Sequence, residues 1–240
     1  MLTTPAAGKQ VFKILTAIIF DLDETLTDRR ATIDLFIQRL IDRYFPNADE
    51  HTQHKIAKRF KEADHNGYRD KQEVYRIMIQ DLQWVNPPTA DEYLSFFREQ
   101  IPLCIQPMDQ LHSVLRYLKS KGLKLGIITY GTVQVQQAKI HQLGISGYFD
   151  SIVISEEAGI KKPDSQIYMK ALDQLKVMPA EVWYVGDHPH NDIVGAAGCG
   201  IKAIWCTRDG EWDDSIEVKP YRIIYKLEEL IHIYAEHHEG

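Results

Sequence analysis

The sequence predicts an α/β fold: a doubly wound, mostly parallel sheet whose first strand is separated from the others by an all-helical insertion. Three observations carry this. An apolar run at 17–20 stops abruptly in Asp21-Leu22-Asp23; nothing between Asp28 and Ile101 alternates as a strand would; and from Pro107 onward short apolar runs alternate with amphipathic stretches. Such alternation implies right-handed crossovers and helices on both faces of the sheet.

In chain order, the first strand is expected over 16–20. Ile33, Phe36, Ile37, Leu40, Ile41 and Tyr44 recur at steps of three and four, which makes a helix with one apolar stripe that stops at Pro46-Asn47. Further helices are expected over 52–63, 71–82 and 89–100, the last opening with Thr89-Ala90-Asp91-Glu92 in capping-box order. A helix over 108–119 leads through Gly122 to a strand at 123–128. Helix (133–142), strand (151–155), helix (165–175), strand (182–185), a short helix from Asn191, strands at 202–205 and 222–224, and a closing helix complete the chain. The sequence therefore divides into a Rossmann-like core, residues 1–27 and 105–240, and a helical cap, residues 28–104. The cap leaves the core just after Asp21 and Asp23, at the carboxyl end of a strand, where sheets of this kind hold their ligands.

Composition narrows the function. The chain has 240 residues and a formal net charge of −6, with lysines scattered rather than striped, which argues against nucleic acid as a partner. Three cysteines without CxxC spacing argue against a disulfide framework or a zinc knuckle and fit a reducing, cytoplasmic setting. The opening MLTTPAAGKQ has no apolar signal core, and the longest apolar run, 14–20, is too short to span a bilayer, so no membrane partner is expected.

Chemistry collects at four strand ends. Asp21 and Asp23 lie two apart, so on an extended chain they share a side, an arrangement of like charges that requires a positive partner. Thr129-Tyr130-Gly131 offers a hydroxyl and backbone amides suited to phosphate oxygens. Lys161 and Lys162 precede Pro163, and Asp187 and Asp192 follow the fourth strand, five apart. Carboxylates clustered with a lysine suit Mg²⁺, which is usually held by few carboxylates, water and substrate phosphate. Asp21 is then the candidate nucleophile, forming an aspartyl-phosphate, and Asp23 the candidate general acid and base.

In order and spacing, Asp21-Leu22-Asp23-Glu24-Thr25, Thr129, Lys162-Pro163 and Gly186-Asp187 with Asn191-Asp192 resemble the four motifs of the haloacid dehalogenase superfamily of phosphohydrolases, and the insertion resembles that superfamily's helical cap. The resemblance implies Asp21, Asp187 and the main-chain carbonyl of Asp23 as Mg²⁺ ligands, with Asp192 supporting the metal site. It implies Thr129 and Lys162 as ligands of the transferring phosphoryl group, within a pocket that Tyr130 and Gly131 help to wall. Tyr130 departs from the pattern, which usually has Asn there.

The expected activity is Mg²⁺-dependent hydrolysis of a small phosphorylated metabolite: a sugar phosphate, a nucleoside monophosphate or phosphoglycolate. The alternatives are a phosphomutase of the β-phosphoglucomutase kind and a non-catalytic phosphometabolite-binding protein. His188 and His190 read as loop histidines, Cys199 and Cys206 as small core residues. The polar stretch 63–71 reads as a solvated loop, the alternative being a specificity loop built on Tyr68, Arg69 or Lys71.

Overall fold

The computed structural model describes residues 15–239; the amino-terminal stretch discussed above, and Ile14 with it, lies outside them. Strand β1 (Ala17–Phe20) is followed by α1 (Arg29–Tyr44), α2 (Glu50–Asp64), α3 (Lys71–Asp81) and α4 (Ala90–Cys104). Then come α5 (Leu111–Ser120), β2 (Lys124–Thr129), α6 (Val133–Gln142), β3 (Ser151–Ile154), the short α7 (Ser155–Ala158), α8 (Ser165–Leu175) and β4 (Val182–Gly186). After a π-helical turn, Pro189–Val194, the chain runs through α9 (Gly195–Gly198), β5 (Lys202–Cys206), β6 (Arg222–Ile224) and α10 (Glu229–Glu239). Every expected strand and helix is present, with ends displaced by a few residues. The clearest difference is the helix expected from Asn191, which begins at Pro189 as a π turn.

The six strands are all parallel, in the order β3-β2-β1-β4-β5-β6. Strand order reverses beside β1, so the crevice at the carboxyl ends of β1 and β4 is the topological switch point. All four β1 residues are buried because the sheet is covered on both faces. Ile18 and Phe20 join a core with α5 and α10, whereas Ala17 and Ile19 join one with α8.

Helices α1 to α4 bury a separate apolar cluster, which takes in the expected stripe: Ile33, Phe36, Ile37, Leu40 and Ile41 in its centre, with Tyr44 packed at its edge. The capping box closes as expected, Thr89 Oγ1 accepting from the Glu92 amide and Glu92 accepting from the Thr89 amide. Phe36 is fully buried, its ring 5.4, 5.7 and 5.2 Å from those of Phe60, Phe96 and Phe97. Phe36→Ala should therefore cost about 3–5 kcal/mol of stability in a denaturant titration; a loss under about 1 kcal/mol would mean that this cluster does not hold the helices together.

The two chain segments joining the helices to the sheet run side by side. The Asp28 amide donates to the Gln106 carbonyl and the Met108 amide to that of Leu26, each at 2.9 Å. Arg208 reaches both segments, donating to Asp28 Oδ1 at 2.9 Å and contacting the Met108 sulfur at 3.6 Å. Helix α4 also packs on α6, and Val135 of α6 joins the helical cluster.

Candidate active site

Asp21 extends β1 by one hydrogen bond, its amide donating to the Val185 carbonyl at 2.8 Å. Parallel pairing of β1 with both β2 and β4 brings the ends of these strands level, and so gathers residues far apart in sequence. Lys162, which is also buried, donates to Asp21 Oδ1 at 2.5 Å, to Asp192 Oδ1 at 2.6 Å and to the Tyr184 hydroxyl at 3.1 Å. Tyr184 donates in turn to Asp192 Oδ1 at 3.0 Å, and Asp192 Oδ2 accepts from the His188 amide at 2.9 Å. Gly186 makes this possible: a Cβ there would collide with the Asp192 side chain.

Oxygens of Asp21, Asp187 and Asp192 lie within 4.8 Å of one another. Burial pushes the Asp21 carboxyl up to about 7, against the pull of Lys162 and with the push of Asp192. Asp187 is raised well above the carboxylate range by burial and by the charges of Asp192 and Asp21. Desolvation would lower Lys162, but Asp192 and Asp21 more than reverse it and hold the ammonium charged. Three hard oxygen donors whose charge is only partly balanced fit a divalent cation such as Mg²⁺.

Asp23 has a lysine of its own. Lys139 of α6 donates to both of its oxygens, at 2.8 and 2.7 Å, and Gln136 donates to Oδ2 at 3.2 Å. Burial raises this carboxyl, and Lys139 with Arg29 more than reverses it, to about 2. The positive partner required between the two aspartates is thus two separate lysines. The backbone turns at Glu24, φ 63°, instead of continuing extended.

Thr129 is buried at the end of β2, its Oγ1 accepting from Gln136 at 2.5 Å, which leaves its own proton to donate. Tyr130 is half exposed on the pocket wall. The Gly131 amide, read as suited to phosphate oxygens, donates to Ser155 Oγ at 3.0 Å. The adjacent strand β3 ends at Ile154 and so sets that hydroxyl beside the turn. Lys161 is exposed, whereas Lys162 turns inward.

The strand ends form the floor of a pocket of about 1440 Å³ whose other wall comes from α1 and from residues 64–72. That segment is therefore more than a solvated loop. The Tyr68 ring stands edge-on to His188, centroids 5.3 Å apart, and its hydroxyl is held protonated by burial and by the charges of Asp187, Asp192 and Asp21. His188 Nδ1 accepts from the amides of His190 and Asn191, as a loop histidine would. Cys206 is buried, while Cys199 is only partly so.

Sequence reasoning missed Gln136, Lys139, Tyr184 and Arg29. The available signal was on α6, where Gln136, Lys139 and Ile140 share one face at steps of three and four, two long polar side chains on the stripe that should pack inward.

The family model described as haloacid dehalogenase-like hydrolase matches residues 18–206. Among curated proteins, the chain is 30% identical over 196 residues to a glyceraldehyde 3-phosphate phosphatase of Pyrococcus abyssi, covering 80% of this chain and 81% of that one. It is 26% identical over 228 residues to the pyrophosphatase PpaX of Bacillus velezensis, covering 92% and 97%. Among solved structures, the HAD-hydrolase YfnB of Bacillus subtilis superposes with a TM-score of 0.77 at 21% identity, covering 92% of this chain and 99% of that one, a likeness of fold.

Proposed function

We propose that this chain, which belongs to the haloacid dehalogenase-like hydrolases, is a Mg²⁺-dependent phosphatase that hydrolyses a small phosphorylated metabolite through a phosphorylated Asp21. As an enzyme it is a phosphoric monoester hydrolase. The observation that carries the mechanistic reading is the convergence of Asp21, Lys162, Asp187 and Asp192 at the switch point of the sheet.

Mg²⁺ would be held by the carboxylates of Asp21 and Asp187 and the main-chain carbonyl of Asp23, with Asp192 in support. Bound there, it would neutralise the clustered carboxylates and the incoming phosphoryl charge. Lys162 fixes one oxygen of Asp21, leaving the other to attack phosphorus. Lys162 and the Thr129 hydroxyl contact the phosphoryl oxygens, and Tyr130 and Gly131 wall their pocket. As the ester bond breaks, the leaving oxygen takes a proton from the Asp23–Lys139 pair. In the second half, Asp23 takes a proton from water as it attacks the aspartyl-phosphate, which restores the pair. Residues 28–104 act as the cap over a core of 1–27 and 105–240, excluding bulk water and folded substrates. Among the described residues no helix is long and apolar enough to cross a membrane, and we place the enzyme in the cytoplasm.

Phosphate release from a panel of sugar phosphates, nucleoside monophosphates and phosphoglycolate, with and without Mg²⁺, tests the reading. Release that depends on Mg²⁺ is expected; equal release after chelation would overturn the metal's role, and phosphoryl transfer to a sugar acceptor instead of water would identify a mutase.

Stability offers a second test. Asp21 and Asp187 have folded-state carboxyls raised above their unfolded value of 3.8. Their contribution is complete below that value and is lost as pH rises toward 7, where Asp21 ionises in the fold. Metal-free protein should therefore lose stability between about pH 4 and 7 through these groups. The rise in Tm on adding Mg²⁺ should grow across the same window. A rise of equal size at pH 5 and pH 8 would contradict it.

A further inference from the structure

The pocket is polarised. On its core side, four Lys or Arg face six Asp or Glu; on the side formed by residues 29–98, the six basic residues Arg29, Arg30, Lys61, Arg69, Lys71 and Arg98 face three Asp. This basic roof runs against the chain's net charge of −6. A metal would offset the acidic floor; on the roof Arg30 and Arg69 pair outside the pocket with Asp209 and Glu73, and Lys61 pairs with Asp34, which leaves a surplus where Arg29 and Lys71 share the single carboxylate of Asp64.

Arg29 is the roof residue best prepared to use that surplus. It opens α1, directly after the joining segment, and its side chain is only 15% exposed. Nη2 donates to Asp64 Oδ2 at 2.6 Å, and Asp64, itself buried, also accepts from Lys71 at 2.7 Å. Lys71 spends its remaining donors on the carbonyls of Gly67 and Arg69. Gly67 lies against the guanidinium so closely that a Cβ there would meet Nη2 at 2.7 Å and Nε at 2.9 Å. The guanidinium is thus oriented by one carboxylate and a bare stretch of backbone. Its Nη1 donates to no protein group among the described residues. Arg29 also acts on Asp23, the group beside which the leaving oxygen must depart.

We propose that Arg29 receives an anionic group, a carboxylate or a second phosphate, on the leaving-group side of the substrate. The preferred substrates are then phosphoesters or phosphoanhydrides with a charged leaving group; a neutral one leaves Nη1 of the guanidinium without an acceptor. This rests on Asp21 being the site of phosphoryl attack, since that fixes which end of the substrate faces the roof.

The test separates the two readings. Phosphonoacetate and ethylphosphonate are two-carbon phosphonates whose C–P bond a phosphatase does not hydrolyse, with and without a carboxylate, and their binding in the presence of Mg²⁺ is measured by titration calorimetry. The native protein should bind phosphonoacetate roughly tenfold to a hundredfold more tightly, the range of one charge-assisted hydrogen-bonded pair. Arg29→Gln should erase most of that difference and leave ethylphosphonate binding within about twofold. Arg29→Lys, which keeps the charge opposite Asp64 but not the fork, covers the case in which the glutamine variant does not fold; it should lose part of the preference. Equal native affinities, or Arg29 variants that weaken both compounds alike, would overturn the proposal. Comparing kcat/KM for phosphoglycolate, pyrophosphate and ethyl phosphate then distinguishes a carboxylate from a second phosphate. Loss of all turnover with the binding preference intact would count against the phosphatase reading alone.

Discussion

Asp21→Asn should lower phosphate release by at least roughly 10⁴-fold, as expected when a covalent nucleophile is removed. The same substitution should leave the protein folded and, without metal above about pH 7, more resistant to heat than the native chain. The sign follows from the burial of Asp21, which raises its carboxyl to about 7 despite Lys162. Ionised, it destabilises the fold, and a neutral amide does not. The gain should shrink toward pH 5, where Asp21 is protonated in the fold. A variant that is inactive and less stable at every pH would mean that Asp21 holds the site together instead of straining it.

Lys162→Met should have the second large effect, on both activity and stability. Among the described residues Lys162 is the one cation that touches Asp21 and Asp192, and methionine fills a similar volume with no charge. Breaking a buried ion pair on one side leaves uncompensated charge and costs about 3–5 kcal/mol. The Asp21 and Asp187 carboxyls, already raised, then lose the charge that pulls them down, so the deficit should be greatest near neutral pH and smaller near pH 5, where protons replace the lysine. Phosphate release should be lost with it if Lys162 is the buried donor to the phosphoryl oxygens, as proposed above. A denaturant titration at the two pH values reads the first effect. A deficit that does not change with pH would show that Lys162 stabilises by packing alone.

The sequence made the fold and the strand-end residues legible for one reason: a parallel sheet buried on both faces writes its strands as short apolar runs. Chemistry placed at their carboxyl ends stands out as polar residues that an ordinary loop would not need. Asp21, Thr129, Lys162, Asp187 and Asp192 were readable in this way. Lys139 was not, because a lysine on a helix is ordinarily a solvated face; it is buried only because α6 packs under the turn that carries Asp23. Tyr184 sits inside β4 and reads as core, although its hydroxyl bonds both Lys162 and Asp192. Arg29 lies in the polar first turn of α1, and its orientation depends on Asp64, thirty-five residues away. The partner of the Gly131 amide, Ser155, comes from a neighbouring strand end that local sequence does not reveal. What escaped was the set of polar partners that only tertiary packing brings together.

The central claim is that Asp21 carries the phosphoryl group during turnover. Acid quenching of the enzyme within its first turnovers, followed by peptide mass analysis, addresses it directly. One phosphoryl group is expected on the peptide containing Asp21, labile to hydroxylamine and absent from Asp21→Asn. Steady turnover with no acid-stable label on that peptide, or a hydroxylamine-labile label on a peptide without Asp21 instead, would contradict it.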